Sequence, residues 1–214
     1  MKNSRAFESI LWDFGGVFTG SPFYSTGAYA NHLGIEDAAL VKLVLGYGIS
    51  DGDHHWHRLE RGEITMNEAA KEAIAAVEAS GVKGFDIRDF FKSMGGENES
   101  TKAMFEAAFR YKKMGLTQYI LSNNIREFSS SWKSMLPEKL FDGIIDSSEV
   151  GIRKPDPKIF KLALQISGKP PDKTIFLDDY FEHIEVARQL GIEGIHVGPN
   201  PLEAIQVLDN LLEV

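Results

Sequence analysis

The chain has 214 residues, of which 43% are hydrophobic and 25% are charged, proportions that exclude wholesale disorder. The length allows one domain, or a core domain with a smaller insertion. Lys and Arg number 23 against 31 Asp and Glu, and the formal net charge of -8 disfavours binding to nucleic acid or to an anionic membrane surface.

Cysteine is absent, so disulfides, thiolate metal sites and a thiol nucleophile are excluded. Any metal must therefore be held by oxygen or imidazole ligands. The N-terminus carries no apolar stretch long enough for a secretory signal, and no run approaches the roughly 20 apolar residues that span a bilayer. We expect a cytoplasmic protein with no membrane partner.

Five short apolar runs, each ending in small or acidic residues, predict the strands of a buried parallel sheet. In chain order they are ESILWDF, LTQYILSNN, GIIDSSE, KTIFLDD and GIEGIHVG. Helical spacing alternates with the later runs, over 124–135, 157–168, 180–190 and 201–213. This alternation is typical of an α/β fold built from βαβ units, with helices on both faces of the sheet.

A long helix-like segment separates the first two predicted strands, where a structureless loop would be implausible. It predicts helices over 26–34, 37–46, 53–61, 66–80 and 86–93, and a helix over 100–114 leads back to the sheet. We divide the chain into a core of residues 1–17 and 97–214 and an all-helical insertion of residues 18–96. Ligands of open parallel sheets bind beyond the carboxyl ends of the strands, so the insertion should cover the site as a cap.

Polar groups follow the predicted strands at the edge where a ligand would bind. They are Asp13, Ser122, Asn123, Lys154, Asp178 and Asp179. A carboxylate nucleophile, a hydroxyl, an ammonium and a carboxylate pair are what phosphoryl transfer needs, because an anion attacks an anionic ester only where charge is neutralised. Asp13 and the aspartate pair also supply the oxygen ligands that Mg²⁺ accepts.

Each of these groups has an ordinary structural interpretation when taken singly. Asp13 before two glycines can form a turn, the polar residues at 122–124 and 178–179 can cap helices, and Lys154 can be an exposed loop cation. Asp156 followed by Pro157 is interpreted only as a helix cap. A kinase-type DFG motif is excluded, because no catalytic loop is present and no lobe precedes residue 13. The ordered coincidence of the groups at strand ends favours a site.

Four motifs carry a family resemblance: DFGGV at 13–17, LSNN at 121–124, GIRKPDP at 151–157 and FLDD at 176–179. They resemble, in order, the four motifs of the haloacid dehalogenase superfamily, and the resemblance spans the whole chain. Within it the chain is similar to small phosphatases related to the N-terminal domain of soluble epoxide hydrolase and to bacterial sugar-1-phosphate phosphatases. The resemblance implies a Rossmann-like core, a helical cap and Mg²⁺-dependent hydrolysis of a small phosphorylated metabolite, such as a sugar phosphate.

The resemblance also implies roles in catalysis and substrate binding. Asp13 would attack phosphorus and form an aspartyl-phosphate intermediate, which water then hydrolyses. Ser122 and the backbone N–H of Asn123 would bind phosphoryl oxygens. Lys154 would pair with the phosphate and with Asp13, keeping the nucleophile ionised.

The metal ligands are implied in the same way. Mg²⁺ would be held by Asp13, by the backbone carbonyl of Gly15 and by Asp178, and Asp179 would bind the ion directly or support a ligand that does. His183 stands where related sequences often have asparagine, and we expect it to shape the surroundings of the aspartate pair.

The chain departs from the family pattern at Gly15, where most phosphatases of the superfamily carry an aspartate that protonates the leaving group. General acid–base catalysis is worth about 10²–10⁴-fold. Its loss predicts a slow enzyme, a substrate with a good leaving group such as a sugar 1-phosphate or acyl phosphate, or a substitute acid. The cap offers His54, His55 and His57 for that role, although ordinary helices also carry histidines.

Two other functions stay open at this point. A dehalogenase of the same family also lacks the second aspartate, but the aspartate pair would serve no purpose there, because carbon–halogen cleavage needs no metal. A phosphate-binding or protein-binding module that has lost its general acid is the other alternative. Neither the substrate nor the oligomeric state follows from the sequence, because the pocket depends on the geometry of the cap.

Overall fold

The computed structural model describes residues 7–21, 25–94 and 99–214. Within them the core is a five-stranded parallel sheet in the spatial order β3-β2-β1-β4-β5. The strands are β1 (Ser9–Trp12), β2 (Thr117–Ser122), β3 (Gly143–Asp146), β4 (Thr174–Asp178) and β5 (Glu193–His196). The predicted α/β fold with a parallel sheet is confirmed.

Strand β1 lies at the centre of the sheet and is buried along its whole length, which is why its sequence is a continuous apolar run. It pairs in parallel with β2 and with β4, and Trp12 is in register with both Ile120 and Leu177. The chain builds outward from β1 to β3 on one side and then returns to the other side as β4. The carboxyl ends of β1 and β4 therefore flank the point where the strand order reverses, which is where ligands of such sheets bind.

The segment between β1 and β2 contains the five predicted helices. They are α1 (Gly27–Leu33), α2 (Asp37–Leu45), α3 (His55–Glu60), α4 (Met66–Ala79) and α5 (Ile87–Ser93). Local sequence sets their ends: Thr65 and Glu68 form a reciprocal capping box at the start of α4, and α2 ends at Gly46 in the left-handed conformation. These helices enclose an apolar cluster that includes Leu40 and Phe90.

The remaining helices pack on the two faces of the sheet. They are α6 (Glu99–Lys113), α7 (Ser129–Lys133), α8 (Ser147–Val150), α9 (Pro157–Ser167), α10 (Phe181–Gln189) and α11 (Pro201–Leu212). Side chains alternate along β1, so Trp12 joins the cluster that contains Tyr111 of α6 on one face, and Leu11 joins Phe160 of α9 on the other. The boundary predicted at residue 96 lies outside the described residues.

Two predicted elements differ in detail from the structure. The run GIIDSSE is a strand only as far as Asp146, because this side chain accepts hydrogen bonds from the N–H and Oγ of Ser148 and starts α8. The segment predicted as one helix over 124–135 is a short 3₁₀ helix, Arg126–Phe128, followed by α7. The described residues contain no helix that is both long and apolar enough to cross a membrane, and the cytoplasmic location stays a prediction.

Candidate active site

A buried lysine lies between two carboxylates at the carboxyl ends of β1 and β4. The Nζ atom of Lys154 is 2.9 Å from Asp13 Oδ1 and 2.6 Å from Asp178 Oδ2, and its side chain has 0% exposure. The parallel pairing of β1 with β4 brings the two aspartates together, because the Asp13 N–H donates to the carbonyl of Leu177, the residue before Asp178. The structure thus brings Asp13 together with Lys154 and Asp178, both of which lie more than 140 positions further along the sequence.

Lysine 154 is held from the core by Asn123, which follows β2. The Asn123 side chain donates from Nδ2 to the Lys154 carbonyl at 2.9 Å and accepts from the Lys154 N–H on Oδ1 at 2.8 Å. The sequence predicts a role only for the backbone N–H of Asn123, and this pair of side-chain hydrogen bonds was not predicted. A side-chain amide that binds both groups of one residue fixes the path of the backbone there.

Ser122 lies at the end of β2, next to the end of β1. Its side chain is buried, and its Oγ donates to the carbonyl of Asn123 at 3.4 Å, which is a long hydrogen bond. A hydroxyl held this weakly can turn to another acceptor. The position fits the phosphate-binding role that the sequence predicts, and that role stays a prediction.

The two aspartates at the end of β4 differ in their hydrogen bonds. Asp178 accepts from the N–H of Tyr180 at 2.8 Å and lies 3.0 Å from Nδ1 of His183 through each of its oxygens. Asp179 is also buried, but its Oδ2 has no hydrogen-bond partner within the described part of the chain. His183 therefore contacts Asp178, and a buried Asp179 oxygen without a donor indicates a place for a cation.

The donor set fits Mg²⁺. Within the described residues, carboxylate oxygens of Asp13, Asp178 and Asp179 lie within 4.8 Å of one another. Hard oxygen ligands that converge in this way are what Mg²⁺ prefers in proteins. The carbonyl of Gly15, the other predicted ligand, follows Asp13 by two residues, and its role stays a prediction.

The three aspartates of the site carry more potential negative charge than the Lys154 ammonium can neutralise. Burial raises the pKa of Asp13 to about 7 despite the neighbouring Lys154, and Asp178 adds to the rise. Burial, Asp178 and Asp13 raise the pKa of Asp179 well above its ordinary value. Burial alone would also raise the pKa of Asp178, but His183 and Lys154 lower it overall. One ammonium thus faces three carboxylates, which leaves net negative charge for a cation to neutralise.

The two glycines after Asp13 differ in what their positions allow. Gly16 has φ +75°, and a Cβ there would overlap the carboxylate of Asp179. Gly15 is exposed, and within the described residues no atom lies within 4 Å of the position of its Cβ. The requirement for glycine at position 16 was missed from sequence, although the Gly-Gly pair after a strand was a signal for it.

The three cap histidines bind backbone groups. His55 Nε2 lies 3.0 Å from the carbonyl of Val44 and His57 Nε2 lies 3.1 Å from that of Gly46, while His54 Nδ1 accepts from the N–H of Trp56 at 3.2 Å. Burial lowers the pKa of all three, that of His54 to about 4. These contacts give the histidines a structural role at the end of α2 and leave them poorly suited to donate a proton near pH 7.

Tyr47, for which the sequence predicted no role, contacts Tyr180, the residue that follows the aspartate pair. The ring of Tyr47 lies 4.7 Å from that of Tyr180, and the N–H of Gly48 donates to the Tyr180 hydroxyl at 2.9 Å. Burial, followed by the carboxylates of Glu60 and Asp179, raises the pKa of Tyr47 well above its ordinary value. The loop after α2 thus joins the cap to the residue that follows the aspartate pair.

Residues 7–191 match the haloacid dehalogenase-like hydrolase family, and the chain belongs to this family. It is 31% identical over 212 residues to acyl-CoA dehydrogenase family member 10 of Mus musculus and 30% identical over 206 residues to bifunctional epoxide hydrolase 2 of Sus scrofa. These alignments cover 97% and 90% of this chain but only 19% and 36% of the two relatives. The predicted family and its hydrolase class are confirmed.

Other similar proteins are comparable in size to this chain. A sesquiterpene phosphatase of Aspergillus oryzae is 26% identical, with 89% of this chain and 90% of the relative covered. Among solved structures, a HAD family enzyme of Bacteroides thetaiotaomicron in complex with magnesium and inorganic phosphate has a TM-score of 0.60, 23% identity and coverage of 90% and 94%. A dehalogenase has a TM-score of 0.65, 16% identity and coverage of 97% of both chains. At these identities the solved structures share the fold alone.

Substitution of the two glycines separates their roles. We expect Gly16→Ala to destabilise the protein by about 1–2 kcal/mol, because alanine at positive φ is strained, and by a further amount because its Cβ displaces Asp179. Gly15→Ala is the matched control and should shift stability by less than about 0.5 kcal/mol. Urea unfolding measures both changes, and equal stabilities of the two variants would contradict the assignment.

The raised pKa of Asp13 predicts a pH dependence of stability in the presence of a chelator. The folded pKa of about 7 lies above that of the unfolded chain, so the folded state holds the extra proton and stability falls as pH rises through this range. The contribution is about 1.4 kcal/mol per pH unit between the two pKa values. Urea unfolding between pH 5 and pH 8 should show a flatter dependence in Asp13→Asn than in the wild type. Parallel profiles would show that Asp13 is ionised throughout.

Proposed function

We propose that the protein is a Mg²⁺-dependent phosphatase that hydrolyses a small phosphorylated metabolite through an aspartyl-phosphate intermediate. The observation that carries the proposal is the contact of the buried Lys154 ammonium with both Asp13 and Asp178, beside a third carboxylate with an unpartnered oxygen. Such a site offers an anionic nucleophile, a fixed cation and oxygen ligands for a metal. A phosphate ester requires all three, because it repels an anionic nucleophile unless its charge is neutralised.

The nucleophile is Asp13, and its carboxylate is oriented by two donors on one oxygen. Oδ1 accepts from the backbone N–H of Phe14 at 2.7 Å and lies 2.9 Å from Lys154 Nζ. These bonds favour the ionised form and restrict the orientation of the carboxylate. In the first step a bond forms between the carboxylate oxygen and phosphorus while the bond to the leaving-group oxygen breaks. Water then attacks phosphorus and regenerates Asp13.

The residues around the nucleophile bind the phosphoryl group. Ser122 Oγ and the backbone N–H of Asn123 would donate to phosphoryl oxygens, and Lys154 would pair with them as well as with Asp13. Asp13, Asp178, Asp179 and the carbonyl of Gly15 would hold Mg²⁺, which when bound supplies positive charge beside the phosphoryl oxygens. The free Oδ2 of Asp179 and the raised pKa of its carboxyl support this assignment.

Residues 18–96 form the cap that closes the site in this proposal, with residues 1–17 and 97–214 as the core. The apolar cluster that α1 to α5 enclose supports a separate packing unit. Tyr47, beside the carboxylates of the site, supports the position of this unit over the carboxyl ends of the strands. A closed cap would exclude water from the substrate pocket.

The substrate is a phosphate whose leaving group needs little protonation, such as a sugar 1-phosphate or an acyl phosphate. Gly15 provides no carboxyl group, and the three cap histidines are bound to backbone groups. The sesquiterpene phosphatase among the relatives supports phosphatase chemistry without indicating the substrate of this chain. A dehalogenase is less well supported, because carbon–halogen cleavage gives no use to the buried Asp178 and Asp179 pair.

Replacement of the nucleophile tests the proposal. With Mg²⁺ and a panel of phosphomonoesters, we expect Asp13→Asn to lower kcat by at least about 10³-fold, because an amide cannot attack phosphorus. Asp156→Asn is the matched control: this residue caps α9 by accepting from the N–H of Lys158, and its loss should leave kcat within about twofold.

The alternatives give different results in the same assays. Activity that survives Asp13→Asn would contradict the proposal. Chloride release from a haloacid in the presence of a chelator would identify a dehalogenase. Tight binding of beryllofluoride without turnover of any phosphomonoester would identify a phosphate-binding protein.

Restoring a carboxyl group at position 15 tests the role of the missing acid. The space at Gly15 accepts a side chain, so we expect Gly15→Asp to raise kcat for substrates with poor leaving groups, such as alkyl phosphates, by about 10²–10⁴-fold. Acyl phosphates should gain little, because their leaving groups need no proton. Gly15→Ala controls for the loss of glycine. An equal effect of Gly15→Asp on both substrate types would show that proton transfer does not limit turnover.

A further inference from the structure

We propose that Glu60 of the cap and Arg153 of the core are positioning residues, and that their buried ion pair lets the cap set the position of the catalytic lysine. The proposal rests on the function proposed above for the role of Lys154. Arg153 immediately precedes that lysine, and Glu60 is the last residue of α3. The pair therefore joins the cap directly to the segment that carries the central charge of the site.

The ion pair is buried and its geometry is constrained on both sides. Arg153 Nε lies 2.7 Å from Glu60 Oε2, and the two side chains have 3% and 4% exposure. The other oxygen of Glu60 accepts from Trp56 Nε1 at 2.9 Å. Arg153 also reaches Asp51 Oδ1 at 3.1 Å, which is a second contact with the cap. A guanidinium held at two points by rigid partners has a fixed position and orientation.

Backbone contacts fix the end of α3 on the core beside this pair. Ser147 Oγ donates to the carbonyl of Glu60 at 2.6 Å and accepts from the N–H of Asn124 at 3.0 Å. The backbone approach continues at Gly62, where a Cβ would lie 2.6 Å from the carbonyl of Ser148. Residues 56–62, with the sequence WHRLERG, thus form a docking segment, because Trp56, Glu60 and Gly62 all serve the contact with the core.

Lysine 154 is consequently held from two directions. Its own N–H and carbonyl are bound by Asn123 of the core, and the residue before it is bound by the cap. Arg153 and Lys154 share one peptide bond, so a displacement of Arg153 shifts the Lys154 backbone, which Asn123 binds. The Lys154 side chain is wholly buried between two carboxylates, so it has little freedom to compensate. Misplacement of a catalytic group by about 1 Å can cost 10²-fold in rate.

Removing one partner and removing both have different consequences for stability and for activity. Arg153→Gln leaves the buried Glu60 carboxylate without this cation, and Glu60→Gln leaves the buried Arg153 with its contact to Asp51 but without its shorter ion pair. Each single substitution should therefore destabilise the protein, whereas replacing both charged partners removes that penalty. A merely structural pair would therefore recover its function when both partners are replaced. A positioning pair would not, because residue 153 lacks the ionic contact that fixes it to the cap even when stability has returned.

The experiment compares Glu60→Gln, Arg153→Gln and the double variant E60Q/R153Q with wild type in the full chain. We expect the double variant to regain most of the stability lost by the single variants, while kcat stays about 10–100-fold below wild type and KM changes by less than about threefold. The matched control is R58Q/E72Q, which removes an exposed Arg–Glu pair inside the cap, 3.3 Å apart, and should retain wild-type kcat.

A second measurement does not depend on activity. The Lys154 N–H donates to Asn123 Oδ1, so its hydrogen exchange reports directly on the backbone at the lysine. We expect exchange at Lys154 to be at least about 10-fold faster in E60Q/R153Q, relative to the Leu121 amide of β2, and unchanged in the control. A wild-type kcat or a wild-type exchange ratio in the double variant would overturn the proposal. If the wild type hydrolyses no phosphomonoester, the proposed function fails, and the exchange ratio alone decides the link between cap and lysine.

Discussion

The site depends on one constraint: a single buried ammonium must be shared among carboxylates that cannot all be ionised without further positive charge. Lys154 contacts Asp13 and Asp178, while Asp179 lies beside them with a free oxygen. In a buried setting such an excess of negative charge is costly, and the raised pKa values of Asp13 and Asp179 express it. In the function proposed above, this cost is offset when the same imbalance attracts a cation and, with it, an anionic substrate.

The topology of the sheet makes this concentration of charge possible. Because β4 lies directly beside β1, parallel pairing in register places the residues after the two strands next to each other. Apolar side chains on both faces of the sheet fix that register, since a shift by one residue would turn the alternating core side chains to the wrong face. The packing of the core strands thus sets the positions of the carboxylates.

The sequence predicted what is local and missed what joins distant segments. The strand ends, the cap helices and the Asp156 helix cap follow from short patterns, and the structure contains them. The amide bonds of Asn123 to Lys154 and the Glu60–Arg153 pair connect positions 31 and 93 residues apart, and no spacing rule predicts such partners. The three histidines of the cap are an example of the opposite error. The sequence offered this cluster of titratable groups as candidate acids, whereas in the structure each of them binds a backbone group.

Gly15 also affects the number of carboxyl groups in the site. An aspartate there would add a fourth carboxyl group to a site in which one ammonium already faces three, and no atom of the described residues lies within 4 Å of a Cβ at this position. Glycine therefore limits the negative charge near the nucleophile and removes a proton donor at the same time. In the function proposed above, the two effects act in the same direction on substrate choice: the site would favour an anionic substrate, and among such substrates those whose leaving group departs without a proton. Under that proposal, position 15 acts on the bond that breaks, while the cap would select the shape of the rest of the substrate molecule.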